Sequence, residues 1–136
     1  MVSKFDARMA NLGLRLTASG SSLVADDQLP WDYESPEQTI AINTTITLAH
    51  GLAQKPVDVR LVYRCKTAQY GYSVGQEVPV QNHGINYNQG VSLDFDVTNL
   101  TIRTTGQAPL VFDKSASNTH STISSPNWVL VAYARK

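Results

Sequence analysis

The residues of this chain best suited to metal binding or nucleophilic chemistry are three histidines and one cysteine. His50, His83 and His120 lie far apart, and no pair has the short spacing that is typical of zinc ligands. Cys65 continues the apolar side of a predicted strand, and the sequence offers no base to activate it. We therefore predict turn or surface histidines, a buried cysteine, and neither a metal ion nor a cofactor.

Asp94 and Asp96 form a second candidate, because glycosidases use a pair of carboxyl groups on either side of the scissile bond. Residues 91–97, however, alternate apolar and polar side chains without a break. This pattern assigns the apolar side chains, which include Phe95 and Val97, to the core and both aspartates to solvent. The chain also contains no nucleophile-elbow, phosphate-loop or dinucleotide motif, so we expect no enzymatic activity.

The elements that carry these residues are predicted strands. Alternation with a period of two recurs from about residue 38 to the end of the chain, and helical periodicity is nearly absent. The main candidates are residues 39–48, 57–65, 91–97, 100–102, 110–112 and 128–133, with shorter ones at 14–16, 22–24 and 78–80. Glycine- and proline-containing turns separate them. The prediction is an all-β jelly-roll β-sandwich of about eight strands with an extended N-terminal segment.

The length of 136 residues fits one domain, within which two segments differ in character. Residues 1–36 are predicted to be an N-terminal arm and acidic segment, and residues 37–136 the β-sandwich. In the arm, Phe5, Met9 and Leu12 have the spacing of one face of a brief helix, although ordinary packing of a chain terminus is the alternative. The sequence shows neither a signal peptide nor a membrane-spanning run, so we expect folding in a cytoplasm and no membrane partner.

The charges balance to a formal net charge of zero, and charged residues make up only 16% of the chain. Such a surface argues against general nucleic-acid binding, which requires a strong positive field. The acidic residues between Arg15 and Lys55 have no basic neighbours in sequence: Asp26, Asp27, Asp32, Glu34 and Glu37. Residues 55–66 are mainly basic and include Arg60 and Arg64. These opposed segments neutralise each other within one chain or contact a neighbouring molecule.

Several sequence motifs between residues 46 and 133 resemble virion proteins of tailed bacteriophages. The first is a strand followed by His50-Gly51-Leu52 and then by Pro56 and a second strand. The others are Gly71-Tyr72-Ser73-Val74-Gly75 and Pro126-Asn127-Trp128 before an apolar strand. The pattern is similar to small β-domains of head proteins and of tail fibres.

A short chain that begins at Met1 fits a head decoration, or cementing, protein better than a long fibre. The resemblance then implies a position on the outer surface of the capsid, after synthesis in the cytoplasm of the bacterial host. The implied partners are a major capsid protein of HK97-like fold and a second copy of the chain, a homodimer being expected and a trimer remaining open. No catalytic residues are implied.

A tail or fibre module that binds a host receptor or glycan is the alternative function. Trp31, Tyr33, Tyr70 and Tyr72 could stack on such a ligand, although partly buried packing is the ordinary role of these aromatic residues. The candidate interface residues for the capsid function are Phe5, Met9, Leu12, Asp26, Asp27, Asp32, Glu34, Arg60 and Arg64.

Deletion of residues 1–12 tests the predicted arm. We expect the truncated protein to retain its β-sheet circular dichroism spectrum and to bind capsids more weakly, because apolar side chains contribute more affinity than exposed ion pairs. Cosedimentation with purified capsids measures the binding. Unchanged affinity would show that the segment is ordinary terminal packing.

Overall fold

The computed structural model describes residues 31–81 and 89–136, together with two short strands that precede them. The chain divides into two compact units, Met1–Trp31 and Asp32–Lys136. In the first unit β1 (Leu14–Leu16) pairs antiparallel with β2 (Leu23–Ala25), close to the short strands predicted there. The apolar arm residues Phe5, Met9 and Leu12, and the acidic residues Asp26 and Asp27, lie outside the described residues.

The second unit is built from antiparallel strands. They are β3 (Tyr33–Glu34), β4 (Gln38–Thr39), β5 (Thr45–Ala49), β6 (Asp58–Cys65), β7 (Glu77–Pro79), β8 (Val91–Phe95), β9 (Asn99–Thr104), β10 (Leu110–Asp113), β11 (Thr119–Thr122) and β12 (Trp128–Arg135). None of the described residues is α-helical, and among them no helix is long and apolar enough to cross a bilayer. The all-β prediction is confirmed, whereas the jelly-roll connectivity and the count of about eight strands stay predictions.

The strands form two main sheets and one separate ladder. In the larger sheet β12 pairs with β6 on one side and with both β3 and β4 on the other, and β7 pairs with β6. The smaller sheet has the order β5-β9-β8, and β10 pairs with β11. Because β3 pairs with β12, the second unit already includes residues 33–34, which the sequence assigned to the N-terminal segment.

The core lies between the two sheets, so the unit resembles a β-sandwich. The larger sheet contributes alternate residues of β6 and β12, and the smaller sheet contributes residues of β8 and β9. The most deeply buried members are Cys65, Leu100, Ile102, Trp128, Leu130, Ala132 and Ala134. The predicted burial of Cys65 is confirmed. Because successive side chains of a strand point to opposite faces, this core follows directly from the alternation in the sequence.

Two apolar residues that the alternation assigned to the core are exposed. The predicted strand 39–48 is interrupted at Asn43, whose positive φ of 50° makes a turn, so Ile42 is 51% exposed and β5 begins only at Thr45. Val57 precedes the first residue of β6 and is 74% exposed. The alternation of residue types continues through the turn at Asn43 and includes Val57 before β6. It reports residue type only and does not show where a strand is interrupted or begins.

Truncation of a core leucine tests the assignment of the core. We expect Leu130→Ala to lower the free energy of unfolding by about 2–5 kcal/mol, because the substitution leaves a cavity between the sheets. The control, Ile42→Ala, should change it by only about 0.5 kcal/mol. Urea denaturation of both variants measures the difference, and equal losses would contradict this assignment.

Candidate functional site

Arg64 of β6 is the centre of a network of polar side chains on the face of the larger sheet opposite the core. Its guanidinium donates hydrogen bonds to three carboxylates and one hydroxyl: Glu77 (2.9 Å), Glu37 (3.1 Å), Glu34 (3.4 Å) and Tyr133 (3.0 Å). The Tyr133 hydroxyl in turn donates to Oε2 of Glu77 at 2.6 Å. The network therefore joins residues from β3, β6, β7 and β12 with Glu37, which lies between β3 and β4.

The charges of this network stabilise one another. Hydrogen bonds from Lys66, at 2.9 Å, and from Arg64 lower the pKa of Glu37 below its ordinary value. Burial acts to lower the pKa of Arg64, but hydrogen bonds to Glu77, Glu37 and Tyr133 outweigh it, so that the guanidinium pKa is raised. Burial, together with the hydrogen bond to Glu77, raises the pKa of Tyr133. The charged forms of Glu37 and Arg64 are thus stabilised by neighbours in the same chain, and Tyr133 is held in its neutral form.

The Arg64 network contains residues of both the acidic and the basic segment of the sequence. Glu34 and Arg64, both candidate interface residues, contact each other, and Lys66 also pairs with Glu37. These acidic and basic side chains therefore neutralise each other within one chain. Asp32 accepts a hydrogen bond from the backbone N–H of Lys136 at 2.7 Å.

Arg60, the remaining candidate among the described residues, is exposed. It lines an open cleft of about 250 Å³ together with apolar residues of the two sheets, which are Val59, Leu61, Val80, Val91 and Leu93.

His50 fixes the loop between β5 and β6. Its side chain is buried, and Nδ1 accepts a hydrogen bond from the backbone N–H of Leu52 at 3.1 Å. Nε2 must therefore carry the ring proton, which it donates to the carbonyl oxygen of Asp96 at 2.9 Å. Gly51 and Ala53 both have positive φ, which the close turn of this loop requires. The sequence predicted a turn or surface histidine; His50 follows β5 directly and is buried, and its hydrogen bonds connect two loops.

Asp96 closes the turn between β8 and β9. Its Oδ1 accepts hydrogen bonds from the backbone N–H groups of Asn99 (2.7 Å) and Thr98 (2.8 Å), which lower the carboxyl pKa. Asp94 is solvent-exposed, as predicted, and pairs with Arg103 at 3.1 Å. The two aspartates of the sequence motif thus have separate structural partners.

The turn at Asp96 corrects the predicted strand 91–97. Because β8 ends at Phe95, Val97 lies within the turn and is 58% exposed, and Phe95 is 36% exposed. Both had been assigned to the core. The Asp-x-Thr-Asn sequence at 96–99 was the available signal, since aspartate side chains commonly bond to the backbone two residues further on.

The two loops that His50 connects therefore carry exposed apolar side chains. Val57 ends the β5–β6 loop, and Phe95 and Val97 belong to the β8–β9 turn. Nζ of Lys55 lies 5.6 Å from the centroid of the Phe95 ring, within cation–π range. We call Lys55, Val57, Phe95 and Val97 the loop-end surface. The sequence did not predict this surface, because the alternation of residue types assigned Val57, Phe95 and Val97 to the core.

The Gly71-Tyr72 motif forms a corner at the other end of β6. The Tyr72 ring packs edge-to-face on Trp128, with centroids 5.3 Å apart, and its hydroxyl donates to the carbonyl of Phe112 at 2.8 Å. Gly71 has a φ of +85°, and a Cβ atom there would lie 2.9 Å from Cβ of Lys114, so only glycine fits.

Two other tyrosines that are candidates for stacking on a ligand also pack or bond within the domain. The Tyr70 hydroxyl donates to the carbonyl of Thr122 at 2.9 Å. Tyr33 lies half-buried in β3, and burial raises its pKa. Together with Tyr72, these residues fit the interpretation of aromatic packing better than that of an exposed stacking shelf.

In the residues that the structure describes, no three His, Cys, Asp or Glu side chains are grouped as they would be around a metal ion. His120 lies on β11 with its ring centroid 4.5 Å from that of Phe112, and His83 lies outside the described residues. A scan against known protein families finds no match to this chain, and a search of curated proteins finds none.

The lowered pKa of Asp96 predicts a dependence of stability on pH. A carboxyl group whose folded-state pKa is below its ordinary value of 3.8 stabilises the fold above that pH, and this contribution is lost as the pH falls through the folded-state value. Asp96→Asn keeps a side-chain oxygen that can accept hydrogen bonds from the two backbone amides, but this side chain does not titrate. We expect the stability difference between wild type and Asp96→Asn to be constant above about pH 5 and to change as the pH falls further.

Chemical denaturation across this pH range measures the effect. Asp96→Ala is the control for the hydrogen bonds themselves, because it removes the acceptor and should be destabilised at every pH. Parallel pH profiles for wild type and Asp96→Asn would contradict the assignment.

Proposed function

We propose that this chain is a structural virion protein that binds the outside of a phage capsid and cements neighbouring major capsid subunits of HK97-like fold. The observation that supports the proposal is that the resembling motifs form loop corners held by hydrogen bonds and ring packing. His50-Gly51-Leu52 connects two loops by buried hydrogen bonds, and Gly71-Tyr72 packs on Trp128. In these motifs His50 and Tyr72 hold loops in place. A binding protein needs such fixed loops to present its contact surface.

The loop-end surface is the part of the described domain that best suits the capsid contact. Exposed large apolar side chains are candidates for protein contacts, and here they lie on two loops joined by His50 and by the contact of Lys55 with Phe95. Here Val57 and Val97 are more than half exposed and sit on loops that His50 fixes, so little ordering is needed on binding. Lys55 adds one positive charge that can orient the contact.

The mechanism of cementing is then one of mass action. A protein that binds only the assembled shell stabilises it in proportion to the logarithm of its free concentration over its dissociation constant. If one molecule contacts two neighbouring subunits, the second contact forms at a high effective concentration. Modest affinity at each contact is therefore sufficient to join subunits.

Substitutions in the loop-end surface test the proposed contact. Val57→Asp and Val97→Asp should each weaken binding to capsids that lack the protein by about tenfold or more, because a charge replaces a buried apolar contact. Val74→Asp is the matched control. Val74 is 66% exposed on the loop between β6 and β7, at the opposite end of β6.

Cosedimentation measures binding, and quantitative mass spectrometry of virions gives the copy number. Many copies per head, with affinity lost only in the Val57 and Val97 variants, is the expected result. A few copies per particle would assign the protein to the tail and overturn the capsid proposal. Equal loss in all three variants would reject this surface as the contact.

A further inference from the structure

The strand β5 forms an edge of the smaller sheet, and its hydrogen bonds define which side is paired. Just before β5, the N–H of Thr104 donates to the carbonyl of Thr44 at 2.9 Å. Just after it, the N–H of His50 donates to the carbonyl of Thr98 at 3.1 Å. In an antiparallel ladder such bonds recur at every second residue, so the even-numbered residues of β5 bond to β9.

The odd-numbered residues Thr45, Thr47 and Ala49 consequently direct their N–H and C=O groups away from β9. All three are exposed. Within the described part of the chain no strand pairs with β5 on this side. This row of backbone donors and acceptors, which we call the β5 edge, is a template for another strand.

The larger sheet protects its edges. In β7, the N–H of Val80 donates to Leu61, so the ladder places the ring nitrogen of Pro79 toward the open side, where it offers no donor. On the opposite side, β3 and β4 are only two residues each and are separated by Pro36. Prolines and very short strands are the usual means by which proteins prevent pairing at edges.

The β5 edge has none of these protections. Residues 38–54 contain no charged side chain and no proline, although the chain has 22 charged residues in all. On the other edge strand of the same sheet, β8, the charged Asp94 is exposed. The absence of charge matters most for contact with an identical surface, because a two-fold axis brings each side chain near its own copy and any charge there would repel itself.

We propose that two copies of this chain pair through their β5 edges, in antiparallel orientation, to form one continuous six-stranded sheet. The outward-facing residues define the register. Thr47 lies opposite the partner's Thr47, and Thr45 lies opposite the partner's Ala49, each pair exchanging two backbone hydrogen bonds. In the same register Ile46 faces the partner's Leu48, which extends the apolar side of the sheet across the two-fold axis.

The β5 pairing gives a structural form to the homodimer that the resemblance implies, and it is tested on the isolated protein. Failure to self-associate and failure to bind capsids are therefore distinguishable. A strand from a capsid subunit could use the same edge, and this would appear as a monomer in solution whose β5 amides become protected only on capsids.

Charge substitution at the two-fold axis is the sharpest test. Thr47→Lys should weaken dimerisation by about tenfold, because two like charges would face each other across the pair. Thr47→Glu should do the same, and an equimolar mixture of both variants should regain the dimer as a heterodimer. Thr101→Lys is the matched control, since Thr101 lies opposite Thr47 on the neighbouring strand β9 and away from the edge.

Sedimentation equilibrium over a series of concentrations gives the mass, and amide hydrogen exchange gives the register. In the dimer the amides of Thr45, Thr47 and Ala49 should become protected, whereas those of Ile46 and Leu48 are protected at all concentrations. A monomeric or trimeric wild type would overturn the proposal. So would a dimer that Thr47→Lys leaves intact, or one that the mixture of variants fails to restore.

Discussion

The pairing of β12 with its neighbours is the interaction on which the rest of the described domain depends. β12 hydrogen-bonds to β6 along eight consecutive residue pairs and to β3 and β4 on its other side. Between β3 and β4, Ser35 continues the ladder: its N–H donates to the carbonyl of Ala132, and its hydroxyl accepts from the N–H of Ala132. The strand joins the beginning, middle and end of the unit, and Leu130 to Ala134 are buried as a result.

Many polar side chains of the domain hold the turns between the strands of its sheets. Each strand that leaves the sheet must turn, and the turns are fixed by side chains that bond to backbone groups, as His50 and Asp96 do. Among the described residues no buried side-chain nitrogen or oxygen lacks a hydrogen-bond partner. Because unsatisfied buried polar groups are costly, these hydrogen bonds of histidine and aspartate stabilise the fold.

The sequence predicted the core well because alternation is a local property. Cys65 and Leu100 could be assigned to the core from their strand neighbours alone. The alternation failed at Ile42 and Val97, where a turn interrupts an unchanged pattern of residue types. The Arg64 network was also beyond local reasoning, since its partners lie 13 to 69 residues away in sequence and meet only when the sheet forms.

The loop-end surface and the β5 edge, taken together, give the cementing proposal a definite geometry. β5 ends where the loop of His50 begins, so the loop-end surface lies at the C-terminal end of this strand. In an antiparallel pair the two strands run in opposite directions, and the two loop-end surfaces therefore lie at opposite ends of the dimer. In the proposed register Ala49 lies opposite the partner's Thr45, so the C-terminal ends of the two β5 strands are four residues, or about 14 Å, apart along the strand direction. A dimer of this form presents two copies of the loop-end surface, and a protein that cements two subunits needs two contact surfaces.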